Sequence, residues 1–315
     1  MDQPSSTAPA GQTAVRNFRP GDEQSWLSLI LAAPDFPYTF FNRPPSLDAL
    51  KMTLAHPAMD AAHNLFFAEV AGQLIAYAEL WHAAGLKRAT ARVLVHPTWR
   101  RRGIGRRLLG LLEELARAAA GTYMDIQISS EIEGGRAFLQ AHGFAAVHRS
   151  WRMVLDQAQA IPLPCWPSGY RQRSFVVGQD EHTSMLLENE SFQGEWEFLP
   201  VELGEIEGFV RSPDFQAEGV IYAVHRGRVV GECWNWIETE IGEQNGDVWC
   251  LCVLPQHRGR GLGRALLVSG LQWLRGQGVR SVTLFVDGAN DQAKHLYESV
   301  GFVAAEEQVW YRKQL

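Results

Sequence analysis

Long apolar runs are missing from this 315-residue chain, which excludes a membrane-spanning helix on sequence grounds. An excess of basic charge is missing as well. The formal net charge is −6, which argues against a general nucleic-acid surface and leaves room for a local basic pocket only. Cysteine is scarce: Cys165, Cys233, Cys250 and Cys252 are the whole set, too few for a disulfide framework at this length. Cys250 and Cys252 stand two apart on a strand-like run, hence on one face. Buried thiols are expected there and no metal, because no further Cys or His pair stands at ligand spacing. The opening MDQPSSTAPAGQTA lacks a basic-then-apolar signature and reads as a loose tail over 1–12. These absences together place the protein in a reducing cytoplasm, with no membrane and no nucleic acid as partner.

What is present is a repeat. An apolar run from Val248 to Val253 reads as a buried strand closed by Pro255. Gly246 and Asp247 before it read as a strand-start turn, an alternative to any chemical role for Asp247. After the strand, Arg258-Gly259-Arg260-Gly261-Leu262-Gly263 opens a helix that continues with Arg264. Glycines at such a turn let several backbone N–H groups converge at the positive end of a helix dipole, a nest for phosphate or pyrophosphate. The pattern has neither the Lys and hydroxyl of a Walker A loop nor the third glycine of a dinucleotide turn. Its twin lies 158 residues earlier, where Val95 precedes His96-Pro97 and Arg100-Arg101-Arg102-Gly103-Ile104-Gly105-Arg106 opens another helix. Pro97 and Pro255, Gly103 and Gly261, and Gly143 and Gly301 keep that same spacing, so the chain is an internal duplication. The Pro-rich stretch DQAQAIPLPCWPSG separates the copies. The expected organisation is therefore a domain over 13–155, a linker over 156–169 and a domain over 170–315, each α/β with strands and helices in the same order.

The pieces Val253-Leu254-Pro255, Arg258 to Gly263, and Asn290-Asp291-Gln292-Ala293 through Leu296-Tyr297 to Gly301-Phe302 resemble the GNAT acetyltransferase superfamily. The resemblance covers nearly the whole chain, twice. It implies tandem domains, each a mostly antiparallel mixed sheet with flanking helices and a splayed central strand pair. It also implies acetyl-CoA as cofactor, its pyrophosphate on the turn amides and its thioester carbonyl polarised by a backbone N–H near Leu251 or Cys252. A small primary amine attacks directly; peptide, antibiotic, polyamine and thiol-precursor amines all stay open as acceptors. The departing thiolate gains from a proton donor, and Tyr297 matches the family's general acid. Asp247 stands where several members carry a glutamate base; Glu232, Glu238 and Glu240 are rivals. Asn290 caps a helix and touches the cofactor.

In the first copy, the same offset sets Leu139 opposite Tyr297, Ala89 opposite Asp247 and Ile132 opposite Asn290. The first half is therefore expected to keep the phosphate turn and lack the acid and base; whether it holds CoA stays open, as does monomer against homodimer. The loop after the first helix of the second copy, with Phe192 and Trp196, and the strand residue Glu232 are candidates for contact with the acceptor. A CoA-binding sensor without turnover is the alternative to an enzyme.

Overall fold

The structure, a computed structural model, describes residues 13–33, 45–56, 59–82, 87–240 and 243–315, with the side chains of 238–240 and 243 outside that description. The expected tail over 1–12 lies outside the described residues. The chain forms two units, residues 1–148 with Val309–Leu315, and Arg149–Gln308.

In the first unit, β1 (Ala14–Asn17) leads to α1 (Glu23–Leu31), α2 (Leu47–Ala55) and the short α3 (Ala61–Asn64). Then follow β2 (Leu65–Val70), β3 (Gln73–Trp81), β4 (Arg88–Val95), α4 (Ile104–Ala118), β5 (Tyr123–Ser129) and α5 (Glu133–Ala141). Strand β6 (Ala145–Asp156) leaves this unit: its residues Ser150–Asp156 pair antiparallel with a strand of the second. Helix α4 lays Leu108, Leu109 and Leu112 on the sheet at helical spacing, all nearly fully buried.

The second unit repeats the order with β7 (Tyr170–Ser174), α6 (Glu181–Ser191), α7 (Leu203–Val210), β8 (Val220–His225), β9 (Arg228–Glu240) and β10 (Glu243–Val253). It continues through α8 (Leu262–Gly276), β11 (Ser281–Asp287), α9 (Asp291–Val300) and β12 (Val303–Gln314). Its sheet runs β6-β11-β10-β9-β8-β7. The end of β12 belongs to the first unit, beside β5. There Arg312 donates to both oxygens of the fully buried Asp125, at 2.8 and 2.7 Å, alongside Arg88 at 2.9 Å. Each copy thus contributes its last strand to the other unit, and the unit boundaries do not follow the repeat boundaries.

Strand β10 begins earlier than the apolar run suggests. Gly246 and Asp247 are inside it, not in a turn before it. Gly246 carries no side chain where α8 and the segment after it need the space: a Cβ there would lie 3.0 Å from side chains of Leu274 and Val279. Farther along, α8 approaches β9 closely. A Cβ on Gly270 would fall 2.5 Å from Asn235 Oδ1, and Asn235 donates 2.7 Å to Gly219 O. Gly270→Ala is expected to displace that buried amide at a cost of about 1–3 kcal/mol. Chemical denaturation reads this directly, and an unmoved midpoint would show that α8 has slack.

Candidate active site

Both units splay their central parallel pair. In the second, β10 pairs with β11 from Asn245–Ser281 to Val248–Leu284, and the pairing stops there. In the first, β4 pairs with β5 from Arg88–Tyr123 to Ala91–Ile126 only. Past those points one edge of each strand is open to an extended arm, with Leu251, Cys252 and Val253 on the open part of β10 and Val95 at the end of β4.

Only β10 is bulged. Its register against β9 shifts between Val248 and Cys250, so Trp249 has no opposite residue, whereas β3 and β4 pair without interruption. The extra residue corrects the repeat alignment. Asp247 pairs with Trp236 and Thr90 pairs with Trp81, so in register the first-unit counterpart of Asp247 is Thr90 and not Ala89. The offset of 158 holds from the turn onward and becomes 157 before the bulge. Neither residue is a carboxylate.

The turns agree in backbone and differ in side chains. Gly261 (φ 83) and Gly103 (φ 81) precede α8 and α4 in the left-handed region. Gly259 is also left-handed at φ 71, and its first-unit counterpart Arg101 is held at φ 63, a conformation that strains a residue with a Cβ. The Arg258 side chain staples the turn: Nε donates to Val253 O (2.9 Å) and Nη2 to Ser191 O (2.7 Å). Arg100 Nε donates to Val95 O in the same way, at 3.1 Å. Arg264 donates to Ser299 Oγ on α9 (2.6 Å), and Arg102 lies over the Trp99 ring. Arg260, Arg101 and Arg106 stand exposed at the turns, their guanidinium groups available to an anion. Ile104, Gly105, Leu262 and Gly263 form the first turns of their helices, Ile104 and Leu262 buried beneath them.

Tyr297 is nearly buried, 7 % exposed, edge-on to Phe302. Burial, then the Cys233 and Cys250 thiols, raise its phenol above the usual range, so it carries its proton. Leu139 fills the equivalent place, buried. Asn290 accepts from Ala293 N (3.0 Å) as the cap of α9, while Ile132 makes no side-chain cap on α5. Asp247 is partly buried. Glu238 and Glu240 are at the far end of β9, and their side chains lie outside the described residues.

Glu232 is the surprise. It is fully buried, and accepts from Ser184 Oγ (2.7 Å) and Trp234 Nε1 (2.8 Å); Cys252 Sγ lies 3.8 Å from its other oxygen. Burial pushes its carboxyl up to about 7. Glu188 on α6 is 5 % exposed and raised well above the usual range by burial and then by Glu232. Glu188 is absent from the candidates read from the sequence. The signal was present: α6 buries Ser184, Leu187, Glu188 and Ser191, a core-facing stripe with three polar members. Cys250 and Cys252 do lie on one face and are buried, as expected, and Glu232 brings its ligand atom within 4.8 Å of both, a convergence that spacing along the chain does not reveal. Phe192 ends α6 and packs on the core; Trp196 is half-buried in the loop beyond; Trp234 and Trp236 are buried.

Comparison with known proteins follows the two turns. Residues 61–146 match the acetyltransferase (GNAT) domain and residues 183–302 the acetyltransferase (GNAT) family. A mycothiol acetyltransferase of Thermobispora bispora is 31% identical over 232 residues, covering 71% of this chain and 76% of that protein. The chain belongs to the GNAT family. This tandem acetyltransferase is also 30% identical to the mycothiol acetyltransferase of Streptomyces coelicolor over 266 residues, 84% of each chain. Among solved structures, its fold matches a tandem GNAT protein from the clavulanic acid biosynthesis pathway (TM-score 0.78, 22% identity, 96% and 98% covered). It also matches a GCN5-related N-acetyltransferase from Sphaerobacter thermophilus (0.74, 24%, 96% and 95%). The protein is an N-acetyltransferase, and acetyl-CoA is the acetyl donor of this family. No helix among the described residues is long and apolar enough to cross a membrane.

Proposed function

We propose that the second unit transfers acetyl from acetyl-CoA to a small primary amine, while the first unit holds a phosphate turn without chemistry. The observation that carries this is the pairing of a buried, protonated Tyr297 with an open, bulged β10, against Leu139 and an unbulged β4 in the first unit. The pyrophosphate would sit on the amides of Gly259 to Gly263, with Arg260 supplying charge. A backbone N–H near Leu251 or Cys252 would polarise the thioester, and Tyr297 would protonate the leaving thiolate.

Asp247 is the base in this reading. It shares the face of Glu232, Trp234 and Trp236 on β9, because Trp236 is its register partner. The position of Glu232 lies four residues along that strand, about 13 Å away, too far for one bridging water, so a proton from there reaches Asp247 through a chain of waters. Asp247→Asn is expected to lower kcat about 10²-fold with acetyl-CoA affinity kept; undiminished turnover removes it from the role. A mycothiol-type acceptor, a cysteinyl amine, is supported by the names of the relatives. A cytoplasmic setting fits the free cysteines, three of them buried. Mass spectrometry of an amine panel incubated with acetyl-CoA tests the activity itself.

A further inference from the structure

Beneath α6, the second unit keeps two acids that the chemistry above does not use. Glu188 Oε1 is buried and has no hydrogen-bond partner among the described residues. On the same buried face of α6, one turn before Glu188, Ser184 donates to Glu232 (2.7 Å), and Glu188 is close enough to feel the charge of Glu232 and to act on Cys250 and Cys252. Asp180 and Glu205 add negative charge around the pair. The nearby cations are committed elsewhere. Arg173 forks onto Asp180, and Arg258 is held by the carbonyls of Val253 and Ser191. Two carboxyls buried together, one with an unused acceptor oxygen and neither with a cation among the described residues, make a costly arrangement unless a cation arrives.

The first unit has what the second lacks. At the register position of Cys250 stands Arg92, and opposite it, at the position of Trp234, stands Glu79. These two form an ion pair with N···O 3.6 Å, Glu79 buried and Arg92 partly so. The chain's own guanidinium therefore fills, in the first unit, the place left without one in the second. That place adjoins the proposed transfer point, since Glu232 is the register partner of Cys252.

We propose that Glu188 and Glu232 form the acceptor-amine subsite: Glu188 binds the ammonium group of a small cationic amine and accepts a proton from it, with Glu232 behind it as a positioning residue. This rests on the acetyltransferase reading and names its substrate end. The ammonium gives its first proton to the pair. The freed lone pair then attacks the thioester carbonyl, the C–N bond forming as the C–S bond breaks. The second N–H proton passes through water to Asp247, and the thiolate takes the Tyr297 proton. One proton is released overall. Ser184 and Trp234 keep one Glu232 oxygen fixed, leaving the charge of the pair toward Glu188. Burial and then Glu232 raise the Glu188 carboxyl above the usual range, which suits a group that is ionised to receive a cation and protonated once it has taken the proton.

The test is calorimetry on the full chain with CoA bound, using n-butylamine and putrescine against the neutral isostere n-butanol. Both amines are expected to bind and butanol is not. Affinity should improve as pH rises and the raised Glu188 carboxyl ionises, and Glu188→Gln and Glu188→Ala should each weaken amine binding at least about tenfold. CoA affinity should stay unchanged in both, and Tyr297→Phe should keep amine binding. Failure of both amines to bind wild type, or unchanged affinity in both Glu188 variants, overturns the subsite. So does zinc at one equivalent in the isolated protein that is lost in Cys250→Ser, because Glu232, Cys250 and Cys252 would then be metal ligands. If the amines bind through Glu188 and none is acetylated, the subsite stands and the acetyltransferase reading of the second unit falls.

Discussion

Replacing Tyr297 with phenylalanine is expected to lower kcat about 10²–10³-fold and to leave acetyl-CoA affinity as it was. The ring is core: it packs edge-on to Phe302 and is nearly buried, so phenylalanine keeps the packing and removes only the hydroxyl. A buried phenol raised by its surroundings stays protonated at every working pH and gives up its hydrogen as charge grows on the departing sulfur. Without it the thiolate leaves bare in a site of low polarity, which is why the loss should appear in kcat and not in binding. Thiol release measured under saturating acetyl-CoA reads kcat, and titration with CoA reads affinity. Full turnover in this variant would remove Tyr297 from the chemistry.

The matched pair Gly261→Val and Gly103→Val should separate the two units. Both glycines are left-handed, and a β-branched residue there is strained by roughly 1–2 kcal/mol. A Cβ added at either position would have no neighbouring atom within 4 Å, so the new side chain meets no protein and projects into the open turn. In the second unit that disturbs the amide cradle, and acetyl-CoA affinity should fall about 10²-fold, near 2.7 kcal/mol. In the first unit the same strain should lower stability similarly and spare turnover. Equal loss of turnover in both variants would overturn the assignment of chemistry to the second unit.

Much of this was legible in the sequence because it is written in local backbone demands. Left-handed glycines, the helix that follows them and the Gly301-Phe302 stop each require particular residues at fixed spacing, twice. The side-chain work at the turn was less legible. Arg258 and Arg264 look like phosphate ligands in one dimension, yet their reach lets them tie β10, α6 and α9 together. The bulge at Trp249 was invisible, since an inserted residue leaves no mark on an apolar run, and it moved the counterpart of Asp247 from Ala89 to Thr90. Glu188 was hidden for the opposite reason. A glutamate inside a helix reads as solvated until its position on the buried stripe with Ser184 and Ser191 is noticed.

The exchange of terminal strands reverses the usual order of completion during synthesis. Domains generally fold as they emerge, the N-terminal one first. Here the first unit cannot be finished until Val309–Leu315 has left the ribosome, and until then β5 is an open edge of the kind that invites wrong pairing. Asp125 meanwhile is without the Arg312 fork that completes its neutralisation. A premature stop just before Val309 would spare Asp247, Tyr297 and both acids under α6, and would strike the half of the protein that was made first.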